Sequence, residues 1–122
     1  MKGFVITLIL FIILSVVIIF NYAYVNNVHD NMHKMLNELT DEPSEQNRVI
    51  IQKLTEYWEN KSTLLSISVS YREIDNLTNA IDALSSANES KDASQLLLYK
   101  VLTRNEINAI MRLEKISIKN IL

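Results

Sequence analysis

The chain has 122 residues, with one Gly, one Pro, no Cys and a formal charge of -2, which bounds it to one small domain. A lone glycine is too few for a dinucleotide fingerprint or a phosphate-binding loop, and zero cysteines exclude a disulfide framework, a thiol nucleophile and a Cys-built zinc site. Twelve basic against fourteen acidic residues leave no basic surface for a nucleic acid partner.

From Phe4 to Phe20 the chain reads FVITLILFIILSVVIIF, and weaker apolar character continues through Tyr22, Ala23, Tyr24 and Val25. At ~1.5 Å per residue the longer stretch spans the ~30 Å hydrocarbon core of a bilayer. Thr7 and Ser15 interrupt it, but a hydroxyl in a helix bonds back to its own carbonyls. Residues 1–25 are therefore expected to form an uncleaved membrane anchor. A cleaved signal peptide is disfavoured because the run exceeds the usual ~7 to 15 residues and its exit lacks a small-residue cleavage pair. Met1-Lys2-Gly3-Phe4 also looks like a short prepilin leader, yet Leu8 stands where a pilin carries Glu. Lys2 before the span favours a cytoplasmic amino terminus in the cell membrane, with the rest of the chain extracytoplasmic.

Beyond the anchor, residues 26–122 are expected to form a helical bundle. Val25, Val28, Met32, Met35, Leu36 and Leu39 recur at helical steps, which continues the membrane helix to about residue 39. A second helix is expected over 43–66, with Pro43 in its first turn and a stripe of Val49, Ile50, Leu54, Tyr57, Trp58, Leu64 and Leu65. The alternation over residues 65–70 imitates a strand, but no second strand exists to pair with it, so it reads as a connector. Ser70 and Glu73 fit a capping box. A third helix over 71–88 then carries Ile74, Leu77, Ile81 and Leu84. Ser90 is a candidate N-cap for a fourth helix over 91–115, with a stripe of Ala93, Leu96, Leu97, Val101, Ile107, Ile110 and Met111. The tail keeps apolar residues at Ile116, Ile118, Ile121 and Leu122, which marks it as a docking segment.

Short connectors between four helices predict an all-α fold, an N-terminal transmembrane helix continuing into an antiparallel up-down four-helix bundle. In that arrangement the 64–71 connector and the tail both lie near the bilayer. Arg112, Lys115 and Lys119 would sit beside headgroups, with Glu38, Asp41, Glu42 and Glu45 at the far tip. The same charges equally answer the helix dipoles.

The anchor, Trp58-Glu59-Asn60-Lys61, Tyr71-Arg72-Glu73-Ile74-Asp75-Asn76-Leu77, Lys91-Asp92 and the ending Glu114 to Leu122, in that order, resemble an uncharacterised family, a domain of unknown function in small single-span membrane-anchored helical proteins of clostridia and related spore-formers. Tyr71 stands where relatives tend to have His, and Ile116 and Ile118 where Leu is commoner. The resemblance implies a bacterial anchored helical domain and supplies no activity.

Candidate chemistry is sparse. His29 and His33 share the i, i+4 spacing of a zinc-protease helix, but Asp30 replaces the longer glutamate base and no third ligand is legible, so they are weak metal candidates. Protonation of the pair would also loosen this helix by repulsion. Tyr57 and Trp58 fit a core stripe better than a stacking platform. Glu56 and Glu59 beside Lys53 and Lys61 fit a solvated face better than a proton-sharing pair. The expectation is a non-catalytic protein without cofactor or evident small-molecule substrate, serving as an interaction or accessory protein whose partner is a membrane protein or a second copy. A small sensor binding a ligand between its helices is the alternative.

Overall fold

A computed structural model describes residues 1–67 and 69–121, with the side chains of Glu114, Ile116, Ser117, Ile118, Asn120 and Ile121 left undescribed. The expected docking residues Ile116, Ile118, Ile121 and Leu122 thus lie outside the described residues. Four helices follow one another: α1 (Lys2–Asn37), α2 (Glu45–Leu65), α3 (Tyr71–Glu89) and α4 (Ala93–Ile121). There is no strand among the described residues. Each helix packs on its neighbours in sequence and α1 packs on α4, closing the ring of an antiparallel four-helix bundle.

The first helix runs unbroken for 36 residues, about 54 Å at the usual rise. Its amino-terminal part is long and apolar enough to cross a membrane and is not buried by the rest of the chain. Thr7 Oγ1 donates to the Gly3 carbonyl at 2.8 Å and Ser15 Oγ to Phe11 at 2.9 Å, so both hydroxyls are satisfied within the helix. From Val25 onward the same helix becomes one wall of the bundle, burying Val25, Val28, Met32 and Leu36. Leu39 follows in the connector and is buried too.

The caps differ from the sequence expectation at two places. Helix α2 starts at Glu45, because Ser44 is extended and its Oγ accepts from Asn47 N at 3.0 Å; Pro43 precedes the cap instead of sitting in the first turn. Ser90 closes α3 and does not open α4. Lys91 then adopts φ 60°, a left-handed conformation in which glycine is usual. Its N–H reaches the Asn88 carbonyl at 3.2 Å while Asp92 N–H reaches Ala87 at 3.1 Å, the paired bonds of a Schellman ending. Asp92 caps α4 by accepting from Gln95 N at 3.1 Å. The α4 backbone stays helical through Ile121, so the expected separate tail is the last turns of this helix. The Ser70 cap stands where expected, accepting from Glu73 N.

The core stripes of α1 and α3 match their periodicity. On α2, Val49 and Leu64 are exposed and Ile51 is buried in their stead. On α4, Leu97 and Val101 are exposed, while Thr103 takes an inward position and donates to the Tyr99 carbonyl at 2.7 Å. Trp58 is a core residue, 2% exposed, whose Nε1–H donates to Thr78 Oγ1 at 2.8 Å. Tyr57 lies at the core edge and its phenol oxygen accepts from Asn31 Nδ2 at 3.0 Å. Between the helices, an internal void lined by Val25, Met32, Trp58, Leu77 and Ile107 measures about 10 Å³, the scale of a single water.

Polar contacts lock the two ends. At the tip formed by both outer connectors, Asn88 Oδ1 accepts from Ser44 N and its Nδ2 donates to Ser44 O, each at 3.0 Å. Lys100 Nζ donates to the Leu39 carbonyl at 3.0 Å and Arg104 to Asn37 Oδ1 at 3.1 Å. These cations sit at the negative end of α1, a favourable place for them. At the other end, Tyr24 donates its hydroxyl to the Lys61 carbonyl at 3.3 Å. Lys61 Nζ lies 6.0 Å from the Tyr24 ring centre and 5.7 Å from that of Tyr57, so it faces aromatic rings on α1 and α2. An apolar groove of about 360 Å³ joins Val16, Val17 and Phe20 to Leu64 and Ile67, which sets the α2–α3 connector alongside the apolar amino-terminal part of α1.

Candidate functional site

Two surfaces of this bundle carry chemistry beyond packing. The first is a polar constellation between α1 and α4. His29 and His33, one helical turn apart, hold their rings edge to face with centroids 4.5 Å apart. Both Nε2 atoms converge on the Asn108 carboxamide of α4, at 3.0 Å and 2.7 Å from Oδ1. On the opposite side of its ring, His29 Nδ1 lies 3.1 Å from Asp30 Oδ1. The 79-residue separation of His29 from Asn108 hid this third group from sequence reasoning.

The hydrogen count selects one neutral arrangement. A neutral imidazole carries one N–H, so His29 cannot donate both to Asp30 and to Asn108. Turning the Asn108 carboxamide by 180° presents its NH₂ to both Nε2 atoms, one hydrogen for each. His29 Nδ1–H is then free to donate to Asp30, and every group in contact is satisfied. In this state two imidazole lone pairs aim at one spot. Both histidines are half-buried and Asn108 is exposed, so solvent reaches that spot. Among the described residues no group of three His, Asp or Glu converges in this way.

The second surface is the outer face of α4. Leu97, Leu98, Val101 and Leu102 are 53%, 51%, 43% and 40% exposed, and Leu113 continues the row. Spacings of one, four and five residues place them on the side opposite Leu96, Thr103, Ile107 and Ile110. Asn105, also exposed, sits in the middle of the row. Sequence periodicity places Leu97 and Val101 of this row in the core because α4 is apolar on two sides; both are exposed.

Glu56 and Glu59 are exposed on α2, on a solvated face, as expected. Tyr71 is exposed at the start of α3. No side-chain nitrogen or oxygen among the described residues is buried without a hydrogen-bond partner.

The sequence model of DUF4363, a domain of unknown function, matches residues 19–121. No curated protein and no solved structure matches the chain.

Proposed function

The chain belongs to the DUF4363 family, a domain of unknown function, and from that premise we propose that it is a membrane-anchored, extracytoplasmic helical interaction protein without catalytic activity, acting through the outer face of α4. The single observation that carries this reading is the row Leu97, Leu98, Val101, Leu102 and Leu113, exposed on a helix whose other side is already packed. A contiguous apolar row of this kind on a folded domain marks a contact surface.

The occupant we assign to it is a second copy. Anchors hold every copy at the same height above the lipid and confine encounters to a plane, which raises the effective concentration of one row for another. A two-fold axis along the membrane normal brings the α4 helices together in parallel, with Leu98, Leu102 and Ala109 along the seam. Asn105 then meets its own counterpart. A carboxamide both donates and accepts, so two asparagines satisfy each other across such an axis.

Among the described residues, the space lined by Val25, Met32, Trp58, Leu77 and Ile107 holds about 10 Å³, so the packed core itself takes no ligand larger than a water. Lys2 before the span supports a cytoplasmic amino terminus. Labelling of Asp41→Cys from outside intact cells tests that topology, and an unlabelled cysteine refutes it. Heavy use of Ile, Asn and Lys supports a bacterial source with an AT-rich genome, and the family resemblance implies the clostridia and related spore-formers.

Crosslinking tests the docking. Asn105→Cys and Leu98→Cys, each placed in the cysteine-free chain and oxidised in native membranes, are expected to give a product of doubled mass. Gln52→Cys on the exposed face of α2 is expected to stay monomeric. Monomer at all three positions, or a product of another mass, overturns the self-association.

A further inference from the structure

We propose that His29, His33 and Asn108 form a binding site for a divalent transition cation of borderline softness, Zn²⁺ or Cu²⁺, which ties α1 to α4. This inference stands apart from the docking of α4. It rests on the convergence of both Nε2 atoms on a single carboxamide, at 3.0 Å and 2.7 Å.

In the neutral arrangement those nitrogens hold lone pairs directed at one point, occupied by the NH₂ of Asn108. A cation replaces that NH₂ as the electron-pair acceptor. Imidazole nitrogens bind Zn²⁺ at about 2.0–2.1 Å, so the carboxamide withdraws and the rings close in by somewhat under ~1 Å each. Asn108 is exposed, so its side chain has solvent to move into. Rotating back, its oxygen becomes the third ligand, and water from the open side completes a tetrahedral shell.

The histidines bring rigidity to the site. Both are on the bundle part of α1, one turn apart and half-buried, next to Val28 and Met32, which are buried. Asp30 Oδ1 holds the far nitrogen of His29 at 3.1 Å, the outer-shell carboxylate that fixes the tautomer and raises the basicity of a metal-binding imidazole. Arg104, one turn before Asn108, is turned away to Asn37 Oδ1 at 3.1 Å. Two imidazoles with a carboxamide oxygen select the Cu²⁺ and Zn²⁺ end of the divalent series over Mg²⁺ or Ca²⁺, which prefer all-oxygen shells.

The test uses the full chain in detergent micelles. Calorimetric titration with zinc chloride is expected to saturate at one Zn²⁺ per chain, and the electron paramagnetic resonance spectrum of added Cu²⁺ is expected to show coupling to two nitrogens. Asp30→Ala is expected to weaken Zn²⁺ binding about tenfold, as loss of an outer-shell partner does. The double variant His29→Ala/His33→Ala is expected to abolish binding, with its helical circular dichroism compared to the parent. Asn108→Asp, at an exposed position that leaves the core untouched, is expected to bind Zn²⁺ more tightly because a carboxylate replaces a neutral oxygen. Absence of a saturating Zn²⁺ signal, binding that survives in the double variant, or an Asn108→Asp variant no tighter than the parent each overturns the proposal.

Discussion

Replacing Asn47 by Ala is expected to cost more than its polar character suggests. The side chain is fully buried and braces the α1–α2 connector. Its Nδ2 donates to Thr40 O at 3.1 Å and Glu42 O at 2.9 Å, and its Oδ1 accepts from Thr40 N at 3.0 Å. At a net value of ~1 kcal/mol per bond the three are worth about 3 kcal/mol. Water reaching the exposed Thr40 and Glu42 recovers part of that, leaving a loss of about 2 kcal/mol. For a bundle of this size such a loss lowers Tm by roughly 10 °C. Thermal unfolding of the full chain in micelles, followed by the fluorescence of its one tryptophan, Trp58, measures it directly. Asn47→Asp sharpens the test, because it keeps the acceptor and the volume but turns a carboxylate oxygen toward two carbonyls. It is expected to be at least as destabilised as the alanine variant. An alanine variant within ~0.5 kcal/mol of the parent, the range of an inert surface change, or an aspartate variant as stable as the parent, refutes the reasoning.

Leu54→Ala, at a fully buried position, should lose about 2–5 kcal/mol through the cavity it opens, read by the same unfolding curve. Lys91→Gly should gain about 1 kcal/mol, since φ 60° is a left-handed conformation that a side chain penalises and glycine does not. Ser44→Ala should cost about 1 kcal/mol and Ser70→Ala less, because the Ser44 cap bond is 3.0 Å and the Ser70 bond 3.4 Å; equal losses would contradict the ranking. Leu98→Glu with Leu102→Glu should leave the helical circular dichroism unchanged and remove the crosslinked dimer of Asn105→Cys.

The all-helical architecture was legible because α1 and α3 each bury one row of residues at helical spacing, and Ser70 carries its own start signal. Helix α4 was harder. With apolar residues on two sides, periodicity alone does not say which side turns inward, so Leu97 and Val101 were placed in the core while the polar Thr103 was passed over. The same limit applies to Asn47 and Asn88, whose burial follows from backbone partners in connectors that no pattern registers. The end of α3 falls within one residue of the expected 88, but its Schellman form was not legible, because a lysine occupies the position where glycine is the usual signal. At the candidate metal site the two histidines were visible from their spacing. Asn108 was not, since only the packing of α4 on α1 brings it to them.

The first helix has no joint between its apolar amino-terminal part and its bundle wall, so with that part crossing the bilayer as proposed the domain has no swivel of its own. Any tilt the bilayer imposes on the rod leans the entire head by the same angle, and any spin of the rod about its axis changes the compass bearing of the leucine row. Membrane thickness thereby becomes a determinant of which direction the head faces, and inserting a flexible glycine-serine hinge after Tyr22 would uncouple the two.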